Sequence, residues 1–412
     1  MLQDTSQRPA TGFRAWIPVI GLAFAAFVFN TSEFLPVGLL PDIAEDLGET
    51  VSFTGLVITG YAWVVALMSL PLTLATARFE RKKLLLVLIA IFALCHFAVI
   101  LADSFGKLLA CRIGVALMHS VFWSIMTPLA ARMAPRGKRA LGLAAVMGGT
   151  IVATVLGMPI GTKLGQIFGW QEAFFIIGIF AAILFAFIFK ALPLCPSTKA
   201  GSLKSLPVIL KRPALWELYI ITAVTILGQF TCYSYITPIL SHVGGMDAGS
   251  IVDMLFVFGI AGIIGTIISS RTVDRWLSIS LLAPLVLMAL SLSFVNAASS
   301  HFWTFAVLAI VWGAATTAVS MAFQTVVLSA APDAADIAAS LYSGIFNIGI
   351  GGGAFLGSQI SSAFGFAPVA YAGSAIIAAS AIFVAVVLLK TGHAVLGWES
   401  LPKAKSAATP ND

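Results

Sequence analysis

The chain of 412 residues is 59% apolar and only 10% charged, far from the balance of a soluble domain. Its net charge of +6 comes from short basic connections without interleaved aromatics, which excludes a nucleic-acid surface. Cys95, Cys111, Cys195 and Cys232 have neither a pairing nor a metal-ligating spacing and read as small apolar side chains.

Apolar runs of about 20 residues, each long enough to cross a hydrocarbon core of about 30 Å, recur twelve times. They are predicted over 15–40, 54–77, 84–102, 107–130, 140–164, 171–192, 213–240, 250–270, 277–297, 302–329, 338–364 and 367–390. The first run is too long for a signal-peptide core and has no small-residue cleavage site, so it reads as span 1. The expected class is an all-α membrane protein of two pseudo-symmetric six-helix bundles.

The connections alternate in charge. Arg8 and Arg14 precede span 1, Arg78, Arg81, Lys82 and Lys83 follow span 2, and Arg132, Arg136, Lys138 and Arg139 follow span 4. Lys199, Lys204, Lys211 and Arg212 follow span 6, Arg271 and Arg275 span 8, and Lys390, Lys403 and Lys405 span 12. Nineteen of the 23 basic residues thus fall on one side. The opposite connections hold Asp42, Glu45, Asp46, Glu49, Asp103, Asp247 and Asp253, with few cations beyond Lys107 and Lys163. By the positive-inside rule both termini are cytoplasmic, which in a bacterium places the chain in the inner membrane.

The proline-punctuated connection 193–212 separates bundle 1–192 from bundle 213–390, and 391–412 is a cytoplasmic tail. Gly157, Gly161 and Gly165 lead into Phe168-Gly169-Trp170; Gly349, Gly353 and Gly357 lead into Phe364-Gly365-Phe366, an offset of 196. Ala134-Pro135 and Arg78 have counterparts in Ala331-Pro332 and Arg275 at nearly the same offset. Such matches indicate a six-helix unit used twice in parallel. The glycines suit close packing of helices, and a mobile seam would need them too.

Ionisable groups within spans are expensive in lipid and mark function. Glu33 lies about two turns inside span 1, where a carboxylate costs at least ~2.5 kcal/mol unless protonated, paired or wet. It is a candidate proton-coupling site, or else a structural ion pair. Arg112 enters span 4 at similar depth and is expected either to hold Glu33 ionised or to snorkel. His119 follows two turns later on the same face and Trp123 one turn beyond it; imidazole ordinarily titrates near neutrality. His96 in span 3 reads as packing.

Uncharged polar and aromatic side chains mark a possible cavity: Asn30 on the Glu33 face, Trp123, Gln229, Tyr233 and Tyr235 in span 7, Trp312 and Gln324 in span 10, and Tyr342 and Asn347 in span 11. Without a mid-membrane cation cluster, this set suits a small neutral polyhydroxylated ligand better than an ion. No nucleotide-binding loop or catalytic motif occurs, so the chain is not expected to be an enzyme, and no cofactor or metal is implied. The expected partners are protons, a neutral solute and the bilayer, and the expected assembly is a monomer.

Over essentially its whole length the chain resembles the major facilitator superfamily. Gly157-Met158-Pro159-Ile160-Gly161 resembles the fifth-helix motif of its proton-coupled exporters, and Arg112 matches their fourth-helix arginine, whose implied role is proton transfer. Phe79-Glu80-Arg81-Lys82-Lys83 resembles the basic loop that gates the conformational change, with Ala77 where Asp is usual and Glu80 where Gly is usual; the second half keeps Asp274-Arg275. Arg78, Arg81, Lys82, Asp274, Arg275, Gly157, Pro159 and Gly161 are thereby implied in gating. The strings 29–40, 61–68, 112–125 and 344–349 are similar to those of bacterial sugar efflux transporters for arabinose and isopropyl-thiogalactoside. That resemblance implies proton-driven sugar export, with Glu33 and His119 at the coupling positions. A multidrug or nucleoside exporter, or a sugar importer, would share this scaffold; the terminal tails are too short for a signalling receptor, and no pore-lining repeat suggests a channel.

Overall fold

Lipid offers no partner to backbone N–H and C=O groups, so each apolar run must satisfy its own as a helix. The computed structural model describes residues 12–135, 137–197, 211–331 and 335–391. Arg8, Arg136, Lys199, Lys204, Pro332, Lys403 and Lys405 lie outside the described residues, as do 198–210 of the linker and the tail from 392. Among the described residues, twelve helices are long and apolar enough to cross a membrane. They are α1 Phe13–Gly38, α2 Val51–Ala75, α3 Arg81–Leu101, α4 Phe105–Met126, α5 Leu141–Phe168 and α6 Trp170–Ala191, then α7 Pro213–Tyr233, α8 Ala248–Thr272, α9 Leu277–Ser299, α10 Phe302–Ala330, α11 Ile337–Phe364 and α12 Ala367–Leu389. The fold is an all-α membrane architecture of two six-helix bundles, and the protein is a multi-pass membrane protein.

The predicted spans match these helices to within a few residues, except at the end of span 7. There the regular helix stops at Tyr233, and a short helix Ile236–Pro238 and a π-turn Ile239–Val243 follow. Pro238 has no N–H to return to the carbonyl of Ser234, so the ladder cannot run through. In α5 Pro159 likewise lacks an N–H, and a π-segment Ala153–Gly157 ends two residues before it. The repeated Phe-Gly-aromatic corners also gain a reason. Gly169 and Gly365, 196 residues apart, both adopt positive φ (113° and 82°), which side-chain-bearing residues disfavour.

Apolar burial follows the same division. One buried cluster draws all its residues from 22 to 195. The other is built from the second half but recruits Val37, Leu40, Ile58, Ala62 and Met158 from the first. Those recruits lie toward the acidic-loop end or near mid-depth, where the halves meet. Thr237 Oγ1 donates to the Val37 carbonyl at 2.9 Å, a carbonyl left open because Pro41 lacks the N–H that would return to it. Tyr235 donates to the carbonyls of Ala354 (3.0 Å) and Ser52 (3.4 Å), and Ser358 also donates to Ser52 O at 2.7 Å. The hydroxyls of Ser52 and Ser361 are 2.7 Å apart. Near mid-depth Trp63 lies against Gly351, whose lack of a Cβ leaves room for the indole, and Gly259 of α8 lies against Val155 of the α5 π-segment. The halves are thus sealed from the acidic-loop end inward.

This seal predicts a cross-link. Ser52→Cys with Ser361→Cys should form a disulfide under mild oxidation and stop transport, and reductant should restore it. Normal transport by fully cross-linked protein would show that this end need not open.

At the basic-loop end, connections are tied within the first half. Glu80 caps α3 by accepting from the amides of Lys82 (3.0 Å) and Lys83 (2.8 Å), and it also accepts from the Cys195 amide beyond α6. Arg81 N–H donates to Cys195 O at 2.9 Å, and Arg132 Nη1 to Pro196 O at 2.8 Å. Burial acts to raise the Glu80 carboxyl, but the three amides and Lys83 outweigh it and hold it below its ordinary value. Its stabilisation is therefore present above the unfolded carboxylate value and is lost as pH falls through the lowered one. Glu80→Ala is expected to raise the alkylation rate of the buried Cys195 about tenfold at pH 7, the equivalent of ~1.4 kcal/mol lost from the clamp. Mass spectrometry of the modified peptide reads the rate; an unchanged rate would mean that the clamp does not hold this segment.

Candidate functional site

The site begins with a proline. Pro36 in α1 removes the N–H that would bond the carbonyl of Ser32, one turn earlier. Arg112, 1% exposed on α4, fills that vacancy: its Nη1 donates to Ser32 O at 3.0 Å and to Ser32 Oγ at 3.1 Å, and its Nη2 reaches Glu33 O at 3.4 Å. The guanidinium also lies over the Tyr61 ring, 4.3 Å from its centroid. Arg112 does not snorkel, and among the described residues its guanidinium makes no hydrogen bond or ion pair with the Glu33 carboxylate. Its partners are main-chain and hydroxyl oxygens, because the broken α1 ladder presents acceptors that a planar fork of donors fits.

The chain of donors continues into α3. His96 Nδ1 donates to Phe92 O at 2.8 Å, so Nε2 is the acceptor and Ser32 Oγ donates to it at 2.7 Å. Ser32 therefore has its lone pairs free for Arg112. His96 was expected to be packing without a partner; it anchors one end of a fully oriented relay, Arg112 to Ser32 to His96 to Phe92.

A second cluster surrounds His119. Trp123 Nε1 donates to His119 Nε2 at 2.6 Å, and Tyr61 Oη lies 2.5 Å from Nδ1. Phe29, stacked between Phe92 (4.1 Å) and Phe122 (3.9 Å), packs beneath the imidazole. Glu33 Oε2 stands 3.7 Å from His119 Nε2, inside ion-pair range but too far for a hydrogen bond. The Glu33 side chain is 11% exposed, and among the described residues no hydrogen bond reaches its carboxylate. The structure thus brings Glu33, His119 and Trp123 together, and adds Tyr61 and Ser32, which had no assigned role, and His96, which read as packing. Pro36, one turn after Ser32, was the signal available for the Arg112 contact.

The cavity candidates divide. Gln229 and Trp312 are buried and bonded to each other, Trp312 Nε1 donating to Gln229 Oε1 at 2.7 Å, which uses the indole N–H and leaves the Gln229 amide Nε2 with no hydrogen bond among the described residues. Tyr235 belongs to the seal, and its hydroxyl is spent on Ser52 and Ala354. Gln324 is exposed toward the basic-loop end of α10. Asn30 turns toward α5, donating to Ala26 O (2.9 Å) and Thr150 Oγ1 (3.4 Å). Tyr342 donates to Ser320 O, and Asn347 Nδ2 donates to Ser343 O while Asn347 Oδ1 is buried with no partner. Tyr233 donates to Met158 Sδ at 3.4 Å and stacks on Phe258. Phe34, next to Glu33, stacks on Phe230 at 6.2 Å, and Phe230 meets Tyr233 edge-on, so an aromatic wall of the second half begins beside the carboxylate.

A profile of the Major Facilitator Superfamily matches residues 22–332. The chain belongs to the major facilitator superfamily. Among solved structures it is similar to a bacterial homolog to the human lysosomal transporter Spinster, in inward-facing unoccupied and inward-facing occupied conformations. The first is 16% identical with a TM-score of 0.69, covering 95% of this chain and 98% of that one. The second is 17% identical with a TM-score of 0.70, covering 95% and 97%. At such identity the likeness carries the fold alone, and it is that of a major facilitator transporter.

In this superfamily member the implied gating residues lie as follows. A Cβ at Gly157 would overlap Thr31, one at Gly161 would press on Leu35, and one at Gly165 on Leu39. The stripe around Pro159 is therefore an α1–α5 seam inside one half. Gly349, Gly353 and Gly357 pack likewise on α7 against Ile226, Leu227 and Thr231, as the repeat requires. Arg81 donates to Ala77 O at 3.2 Å, using a main-chain acceptor where the superfamily loop has Asp. Lys82 lies over the Phe189 ring, Arg275 over the Trp276 ring, and Arg78 and Asp274 are exposed.

Proposed function

We propose that the protein is a proton-coupled sugar efflux transporter that exports arabinose-like sugars and thiogalactosides by alternating access. The observation that carries this reading is Glu33: a carboxylate within a membrane span, without a hydrogen-bond partner among the described residues, facing the acceptor nitrogen of His119. The Glu33 carboxylate lacks a donor, and the single lone pair of His119 Nε2 beside it is held by Trp123; an added proton or a ligand hydroxyl can each meet the carboxylate, which makes proton and polyol competitors for one place. With basic loops cytoplasmic, as the positive-inside rule requires, both termini are cytoplasmic in a bacterial inner membrane, and the sealed acidic end makes this an inward-open form. Sugar enters from the cytoplasm, held between Glu33 and Asn30 with Trp123 on one side and Tyr233, Tyr342 and Asn347 on the other. After the halves rock, a proton from outside takes Glu33 and the sugar leaves. Residues 1–192 and 213–390 are the rocking units, joined by 193–212, and one chain suffices.

A second reading is favoured by the wall itself. With the Trp312 N–H taken up by Gln229, aromatic rings dominate around Tyr233, and such a surface also suits an apolar cation or a nucleoside. Purified protein in liposomes with an imposed pH gradient separates them, with labelled arabinose and ethidium offered in parallel. Arabinose moving against the proton flow without ethidium supports sugar export; ethidium moving alone assigns drug export.

A further inference from the structure

The atoms around His119 determine where its proton sits. An indole N–H only donates, so His119 Nε2, 2.6 Å from Trp123 Nε1, holds a lone pair. A neutral imidazole then carries its hydrogen on Nδ1, and that hydrogen is donated to Tyr61 Oη at 2.5 Å. Among the described residues, the titratable and charged groups around this arrangement come from α1, α2, α3 and α4. Glu33 faces it from α1, Tyr61 from α2 and Arg112 from its own helix; His96 on α3 is joined to Arg112 through Ser32. Among the described residues no charged group of the second half lies within ion-pair distance of His119.

A proton placed on Nε2 would set two N–H donors against each other, so the Trp123 bond must break before His119 can turn a hydrogen toward Glu33. We propose that Trp123 is a positioning residue that competes with the proton for Nε2 of His119, and so sets how readily the Glu33–His119 pair loads. Trp123 holds the pair open in the proton-free state, and loading releases the indole N–H into a wall where the side chain is partly exposed. This rests on Glu33 and His119 being the proton site, as argued above.

The test replaces Trp123 by β-(3-benzothienyl)alanine, which keeps the bicyclic shape and puts sulfur where the N–H was, in the full-length protein in nanodiscs. Imidazole 15N resonances, assigned to His119 by difference from His119→Gln, report which ring nitrogen carries hydrogen without need of any substrate. The native protein should show the Nδ1–H form at pH 8. The isostere should move a majority of His119 to Nε2–H, and its protonation midpoint should rise by about one unit, the worth of one hydrogen bond to the neutral form. Trp123→Phe should shift the same way. An unchanged tautomer in the isostere overturns the proposal, as does a shift seen in Trp123→Phe alone, which would mean hydration of a void. Failure of the coupling reading appears elsewhere, as undiminished proton-driven transport by Glu33→Gln, and leaves this titration intact.

Discussion

Glu33→Gln is expected to uncouple transport from the proton gradient while leaving solute exchange in place. Gln has the same shape and keeps an acceptor oxygen, so the α1 backbone contacts of Arg112 to Ser32 and Glu33 survive the change. What it cannot do is take up and give back a proton. One charge crossing 100 mV is worth about 2.3 kcal/mol, so accumulation should fall by roughly fifty-fold, to background. Arabinose counterflow between equal concentrations, which needs no driving force, should persist. Retention of gradient-driven accumulation would remove Glu33 from the coupling step, and loss of both activities would make it structural.

The largest structural effect is expected at Arg112. Arg112→Ala leaves the Ser32 carbonyl and the Ser32 hydroxyl oxygen without their donor in a buried setting, at a cost of about 3 kcal/mol or more. Lys is no remedy, since one ammonium cannot span Ser32 O, Ser32 Oγ and Glu33 O in a planar fork. The explanation has a specific consequence. Pro36→Ala returns an N–H to Ser32 O, so the cost of losing Arg112 should be about 1 kcal/mol smaller in that background. Unfolding of the four proteins of this cycle in mixed micelles measures the difference. Strict additivity would show that Arg112 is not serving the carbonyl that the proline frees.

Both predictions rest on partners the sequence disclosed only in part. Glu33 and Arg112 were legible as costly groups at similar depth, and pairing opposite charges was the economical reading. The structure uses Arg112 on the backbone, because an unbonded carbonyl in a dry interior demands a donor as strongly as a carboxylate does. The mark of that demand, Pro36 one turn after Ser32, was present in the chain but spoke only about α1. Likewise Gln229 and Trp312 read as free cavity groups one at a time, and the Trp312 N–H is taken up by Gln229 Oε1 across α7 and α10. Tyr235 read as a cavity residue until the break of α7 turned it to the seal.

The chain by itself determined twelve spans, the two-fold repeat with its glycine seams and matching corners, and which connections share a side. Those follow from local physics: lipid forces each segment to satisfy its backbone internally, and length, period and loop charge are written along one stretch of chain. Only the tertiary structure decided which polar group answers which, and that the acidic-loop end is the closed one. Ser32 and Arg112 are 80 residues apart, and Ser52 and Ser361 are 309. Such contacts depend on how whole helices are rotated and on which of two packings the halves adopt, a choice made by the sum of many buried pairs rather than by any one segment.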